Sequence, residues 1–237
     1  MPYLDWIDDD KLILSVNHLL LKATKAKANT NIERNVIDPF SSIFEIAGFE
    51  HDYETWLTSE ISRQAQKTLQ NHIGDFHQKI LGYSKDWENK ETGNVIDLVS
   101  EKNKIIAEIK NKHNTISGGK LAELYKTLHD LVMPKSSIYK KFTAYYVVIL
   151  PKSPKRYNIE FVPSNKEIGA KCEKNKLIRE IDGASFYALV TGRENALYEL
   201  FKVLPKVISD CSKGKYTVTE IDRVQLLFDL AFGKNLE

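Results

Sequence analysis

The hydrophobic residues in the first third of the chain recur at the spacing of α-helices. Between residues 53 and 81 they fall on one side of a 3.6-residue repeat, which predicts one long helix. An acidic cap predicts a second helix at residues 8–28, and a proline followed by a helical pattern predicts a short third one at residues 39–48. The polar segment between these two, residues 29–38, is predicted to be a loop.

Short, β-branched hydrophobic runs follow the long helix and predict strands. VIDLV (residues 95–99) and KIIAEIK (residues 104–110) are separated by the polar turn SEKN, which predicts a β-hairpin. FTAYYVVIL (residues 142–150) predicts a buried central strand, and FYALVT (residues 186–191) predicts another strand. Further helical patterns lie at residues 120–133, 194–208 and 218–230.

This order of elements predicts the fold class. Strands interleaved with helices indicate an α/β fold, with a central mixed β-sheet of about four to six strands flanked by helices. The 237 residues fit one domain, 1–237, that begins with a helical segment.

Composition limits the function classes. The formal net charge is only +2, so any charge that binds nucleic acid must be local. Cys172 and Cys211 lack CxxC spacing, which argues against a zinc site or a disulfide framework. The chain shows no basic-then-apolar leader and no run of about 18 apolar residues, so we expect a cytoplasmic protein without a membrane partner. Gly119-Lys120 lacks P-loop spacing, so we expect no nucleotide cofactor.

The predicted hairpin carries the residues with the clearest chemistry. If residues 101–104 form its turn, Asp97 stands opposite Glu108, and alternation puts Lys110 on the same face as Glu108. Two carboxylates at adjacent strand positions repel each other unless a cation lies between them. Mg²⁺, with Mn²⁺ as a substitute, prefers such oxygen ligands, and it can activate a water that attacks a phosphodiester. Lys110 would orient that water and offset charge in the transition state.

The D/E-x-K triplet alone is weak, because the chain contains it at residues 9–11, 88–90 and 108–110. Only the third lies in an apolar strand, after a strand that buries Asp97 among aliphatic residues, where a charge is costly unless it is paired or metal-bound. The alternative to a metal site is a structural ion pair between Asp97 and Lys110.

Asp97 followed by Glu108-Ile109-Lys110, between two helices, resembles the PD-(D/E)xK nuclease superfamily. The usual proline of that signature is Ile96 here, which is not a ligand position. The resemblance implies a restriction-endonuclease-like fold with the site at one sheet edge. It also implies that Asp97, Glu108 and the Ile109 carbonyl bind metal, and that Lys110 is the catalytic lysine.

Three longer stretches narrow the resemblance: WLTSEISRQAQKTLQNHIGDFHQ, IDLVSEKNKIIAEIKNKHNT and DGASFYALVTGRENALYELF. They are similar to type II restriction endonucleases that cut palindromes of the GGNCC or GGWCC kind. This similarity implies that the partner is double-stranded DNA, cut on both strands by a homodimer.

Other residues are candidates with ordinary structural alternatives. Glu60, early on the long helix, could be a third acidic site residue, or it could pair with Arg63 or Gln64 on the surface. Four residues are candidate DNA contacts, with a polar surface loop as the alternative for each. They are Lys112, Asn114, Arg156 and Lys171.

Three functions are therefore open. The first is a type II restriction endonuclease. The second is a repair or recombination nuclease of the same superfamily, which would cut by DNA structure. The third is a DNA-binding module without catalysis, in which Asp97 and Lys110 merely pair.

Overall fold

The computed structural model describes residues 1–28, 36–90 and 95–234. Within them, three helices precede the first strand: Asp9–Ala28 (α1), Pro39–Gly48 (α2) and Tyr53–Gly82 (α3). Four further helices follow: Gly118–Val132 (α4), Gly183–Thr191 (α5), Ala196–Cys211 (α6) and Ile221–Phe232 (α7). The helices predicted at residues 8–28, 39–48 and 53–81 are confirmed, whereas most of the loop predicted at residues 29–38 lies outside the described residues.

The strands are Glu88–Asn89 (β1), Leu98–Ser100 (β2), Ile105–Lys112 (β3), Thr143–Leu150 (β4), Asn158–Glu160 (β5), Ser164–Asn165 (β6), Ala170–Lys171 (β7) and Ile178–Asp182 (β8). In the described residues, six of them form one sheet in the order β1-β2-β3-β4-β8-β5, and β6 and β7 form a separate two-stranded sheet. Strands β3, β4 and β8 run parallel, while β1, β2 and β5 are antiparallel to their neighbours. The predicted mixed α/β sheet, with residues 142–150 at its centre, is confirmed.

Each face of the sheet has its own hydrophobic core. On β4, Tyr145 and Val147 join a core with α1, α3, α5, α6 and α7. Tyr146 and Val148 point the other way, into a smaller core that α4 covers. This alternation follows from the two-residue period of a strand, and it shows that β4 is buried on both faces.

The strand predicted at residues 186–191 is wrong, because these residues belong to α5. Asp182 caps the helix by accepting a hydrogen bond from the Ser185 N–H at 2.9 Å, and Gly192 ends it at a φ of 72°. Gly183 is required by packing, since a Cβ there would lie 2.5 Å from the Ile149 carbonyl oxygen. A run of six apolar residues fits both the two-residue period of a strand and the 3.6-residue period of a helix. The two caps and the close approach at Gly183 favour the helix.

The basic, turn-rich segment at residues 152–176 holds β5 and the small β6–β7 hairpin. Among the described residues, no helix combines the length and the hydrophobicity needed to cross a membrane.

Candidate active site

The β2–β3 hairpin sets two carboxylates side by side. Leu98 pairs with Ala107 and Val99 with Ile106, so the same register places Asp97, one residue before β2, opposite Glu108. The Asp97 N–H donates to the Ala107 carbonyl at 3.0 Å, and Asp97 Oδ2 accepts the Ile109 N–H at 2.6 Å. The predicted hairpin, with its turn at residues 101–104, is confirmed. Glu108 stands on the third strand of the sheet and Asp97 directly precedes the second, which pairs with the two-residue edge strand β1.

Lys110 shares the face of the sheet on which Glu108 stands. Its Nζ lies 2.5 Å from Glu108 Oε1, and both side chains are partly buried. The alternating residues Ala107 and Ile109 point into the opposite core, as their spacing predicts. The direct ion pair of Lys110 is therefore with Glu108, and its charge acts on Asp97 from farther away.

Burial makes this carboxylate pair electrostatically strained. Burial first, and then the charge of Asp97, raises the pKa of Glu108 to about 7. Burial also raises the pKa of Asp97, against the opposing effects of the Ile109 N–H and of Lys110. Lys110 pairs directly with Glu108 and acts on Asp97 only from farther away, so its single positive charge does not offset both carboxylates.

The donor set fits Mg²⁺. In the described part of the chain, no group of three or more Asp, Glu, His or Cys side chains could enclose a metal. Two carboxylates suffice for Mg²⁺, which usually keeps several waters and takes one or two carboxylates from the protein. A main-chain oxygen is also near. The Lys104 carbonyl accepts a hydrogen bond from the Thr143 N–H, so the even-numbered residues that follow in β3 direct their N–H and C=O groups toward β4. Ile109 is odd-numbered, so its N–H and its carbonyl oxygen face the side on which Asp97 lies.

A polar cleft of about 240 Å³ opens beside Lys110, between α3 and the end of β3. Its lining comprises Gln70, Asn71, Gly74, Asp75, Gln78, Ile109, Lys110, Asn111, Lys112 and Thr115. A larger cavity of about 530 Å³ lies between α1, α3, α6 and α7, but its lining is mostly apolar and contains no acid. The small cleft is therefore the one that adjoins the chemistry.

The structure does not bring Glu60 to the carboxylate pair. Glu60 is buried, and it accepts hydrogen bonds from Arg63 Nε at 2.6 Å and from Gln64 Nε2 at 2.7 Å. The end of β3 meets α3 near Gln70, whose carbonyl accepts from Asn111 Nδ2 at 3.5 Å. Glu60 is ten residues upstream of that crossing, about 15 Å along the helix axis. Its partners are those of the structural alternative, but Glu60 is buried and does not lie on the surface as that alternative assumed.

The helical acid that acts on the site is Asp75, which the sequence pattern did not single out. Asp75 lines the cleft, and its charge is among the causes that raise the pKa of Asp97. Asp75 lies fifteen residues after Glu60, about 22 Å along α3. Which of these two acids approaches the site therefore depends on where α3 crosses β3.

The candidate DNA contacts fall in three places. Lys112 lines the cleft, where its Nζ donates to Gln70 Oε1 at 3.3 Å, and Asn114 is exposed in the turn that follows. Lys171 is exposed on β7. Arg156 instead joins loop to helix, donating from Nε to Ser185 Oγ at 3.2 Å and pairing with the Glu194 carboxylate.

Comparison with known proteins gives a consistent family. The sequence profile of the Eco47II restriction endonuclease family matches residues 4–213. The type II restriction enzyme Eco47II of Escherichia coli is 47% identical over 240 residues, which cover 98% of this chain and 100% of the relative. The type II restriction enzyme Sau96I of Staphylococcus aureus is 30% identical over 220 residues, or 90% of this chain and 82% of the relative.

These similarities span almost the whole chain, including the hairpin with its two acids and lysine. They confirm the resemblance and the first of the three functions, rather than a repair nuclease or a module without catalysis. The chain belongs to the Eco47II restriction endonuclease family, and it is a type II restriction endonuclease.

Proposed function

We propose that this protein hydrolyses both strands of double-stranded DNA at a short palindrome of the GGNCC or GGWCC kind, with Mg²⁺ or Mn²⁺ as cofactor. The observation that carries the assignment of its site is the opposition of Asp97 and Glu108, with Lys110 on the same face. Asp97, Glu108 and the Ile109 carbonyl would hold the ion. When bound, the ion lowers the pKa of a water and offsets charge at the phosphorus and the leaving oxygen.

Lys110 supplies the remaining positive charge. The contact with Glu108 Oε1 fixes its ammonium group at 2.5 Å, and two further N–H donors remain to orient a water and a phosphate oxygen. The Ile109 N–H holds Asp97 Oδ2 at 2.6 Å, which fixes that carboxylate relative to Glu108. Lys112, Asn114 and Lys171 are proposed to contact the DNA backbone. We leave Glu60 and Arg156 out of the site because their polar groups are engaged elsewhere.

Digestion of phage DNA tests this function. With about 10 mM MgCl₂, we expect discrete fragments that carry 5′-phosphate ends. When EDTA is added, we expect the DNA to stay intact. A smear, or nicking that depends on DNA structure, would contradict sequence-specific cleavage. Full cleavage in EDTA would contradict a divalent-metal mechanism.

Cutting a palindrome on both strands requires two copies of a site that each chain holds once, so we propose a homodimer. Helix α2 supports this proposal, since none of its residues is buried. Large apolar side chains are exposed on and beside it: Val36, Phe40, Ile43, Phe44, Phe49 and Tyr53. Their combined exposed area is of the order of the ~800 Å² that each partner contributes to a standard interface. Residues 36–54 contain five acids and no Lys or Arg, which disfavours DNA as the occupant.

Charge placed on this surface is expected to break the dimer. Phe44→Glu should convert a dimer into a monomer at micromolar concentration in light scattering coupled to gel filtration, because Phe44 is 77% exposed and its burial in a dimer would then trap a charge. Leu227→Glu on α7, at a residue 64% exposed, is the matched control and should leave the dimer intact. A dimeric Phe44→Glu protein would exclude α2 as the interface.

The same function agrees with one nuclease domain, 1–237, acting in the cytoplasm. Cys172 and Cys211 form no disulfide with each other, which is consistent with a reducing compartment.

A further inference from the structure

A row of polar side chains continues across the sheet beyond Glu108. Glu108 on β3 is the register partner of Tyr146 on β4, and Tyr146 is the partner of Glu180 on β8. Neighbouring strands are about 4.8 Å apart, so each side chain of this row stands beside the next on one face of the sheet. Tyr146 is therefore the residue of β4 that adjoins the proposed metal-binding acid.

The position of the Tyr146 ring is fixed by packing. Tyr146 is 2% exposed, and its ring lies 5.0 Å from that of Phe161, centroid to centroid. After burial, the charges of Glu180 and Glu108 raise the pKa of Tyr146 to about 12, so both carboxylates lie within electrostatic reach of the phenol. A rigid ring of this kind holds its hydroxyl in a defined place.

The hydroxyl of Tyr146 is left to an outside partner. Within residues 1–28, 36–90 and 95–234, no hydrogen bond engages it. Glu180, on the other side of Tyr146 in this row, accepts a hydrogen bond at Oε1 from the Tyr157 hydroxyl at 3.1 Å. The hydroxyl oxygen is not among the fully buried unpaired polar atoms of the described residues, so water or a ligand can reach it although the ring is buried.

Glu180 itself is too distant to share an ion with Glu108, and Asp97 lies one strand farther away. Two strand spacings separate it from Glu108, about 9 to 10 Å, whereas Mg²⁺ lies about 2 Å from each ligand. The side chain beside Glu108 is thus the neutral phenol of Tyr146, which can donate a hydrogen bond to a phosphate oxygen. A carboxylate in that place would repel the phosphate.

We propose that Tyr146 is a further substrate-contacting residue, whose hydroxyl donates a hydrogen bond to a non-bridging oxygen of the DNA phosphate held at Glu108. This inference rests on the proposed function of the Asp97–Glu108 site. Tyr146 differs from the other tyrosines of the sheet because it is the register partner of Glu108. Such a contact contributes to cleavage more than to DNA affinity, because one donor among many phosphate contacts adds little to binding.

Tyr146→Phe tests the proposal with the loss of a single oxygen atom. We expect the single-turnover cleavage rate in Mg²⁺ to fall about 10- to 100-fold, and DNA affinity measured in Ca²⁺ to change less than about threefold. Tyr145→Phe is the matched control. The Tyr145 side chain points into the opposite core, where its hydroxyl accepts from Asn158 Nδ2 at 3.4 Å, so its cleavage rate should stay within about twofold of wild type.

A second readout separates a phosphate contact from a structural role. Replacing one non-bridging oxygen of the scissile phosphate by sulfur weakens any hydrogen bond to that oxygen, so one stereoisomer should slow the wild-type protein more than it slows Tyr146→Phe. Equal sulfur effects in the two proteins, or wild-type cleavage by Tyr146→Phe, would overturn the contact. Lys110→Ala is measured in the same assay. If Lys110→Ala still cuts DNA, the proposed active site is wrong. If Lys110→Ala is inactive and Tyr146→Phe is fully active, only the proposed role of Tyr146 is wrong.

Discussion

Replacing Lys110 by alanine is expected to lower the single-turnover rate of DNA cleavage by at least ~10²- to 10³-fold, while DNA affinity in Ca²⁺ changes little. The ammonium group lies on the face of the two acids, 2.5 Å from Glu108 Oε1, where transition-state charge would develop. Alanine removes that charge and the donors that orient water, and it leaves the register of β3 with β2 and β4 unchanged. Rapid mixing of the protein–DNA complex with Mg²⁺ measures the rate.

Lys126→Ala is the control for this experiment. Lys126 is an exposed lysine of α4, the helix that covers the same face of the sheet, so its loss removes equal charge away from the site. It should cleave at the wild-type rate. Cleavage by Lys110→Ala within tenfold of wild type would remove Lys110 from the mechanism, and an equal loss in Lys126→Ala would mean that general charge, rather than position, sets the rate.

The hairpin could be predicted from sequence because its determinants are local. A four-residue polar turn fixes the register of two short strands, and the two-residue period then fixes which side chains share a face. Asp97 opposite Glu108 follows from the numbering alone once residues 101–104 form the turn. Lys110 follows from the same alternation.

The rest of the site depends on contacts between distant segments. Whether Glu60 or Asp75 approaches the acids is decided by where α3 crosses β3, and both residues fit a helical pattern equally well. Tyr146 and Glu180 reach the row of Glu108 through parallel strands, whose register is set by packing across long connections rather than by a turn. The strand predicted at residues 186–191 was wrong for the same reason, because the start of α5 depends on contacts between segments. Asp182 caps α5, and Gly183 packs against the Ile149 carbonyl of β4.

Replacing Asp97 by asparagine is expected to abolish cleavage and, at the same time, to stabilise the metal-free protein. Burial, and after it the charge of Asp75, make a charge at this position unfavourable and raise the pKa of Asp97. The charge of Asp97 in turn helps to raise the pKa of Glu108. Asparagine removes the charge, and its side-chain oxygen can still accept the Ile109 N–H that Asp97 Oδ2 accepts at 2.6 Å. We expect the free energy of unfolding in EDTA to rise by about 1 kcal/mol, and the cleavage rate in Mg²⁺ to fall by more than ~10³-fold.

Thermal unfolding with and without a divalent ion separates this explanation from simple damage to the fold. Because an ion that binds only the folded state raises its stability, Ca²⁺ or Mn²⁺ should raise the melting temperature of the wild-type protein and leave that of Asp97→Asn unchanged. Asp130→Asn, at an exposed acid of α4, is the matched control and should respond to the ion as the wild type does. An Asp97→Asn protein that melts below the wild type in EDTA would show that Asp97 serves the fold, and an undiminished shift with Mn²⁺ would place the ion elsewhere. If the variant is instead more stable and inactive, this half-buried acid is retained for catalysis at the expense of stability.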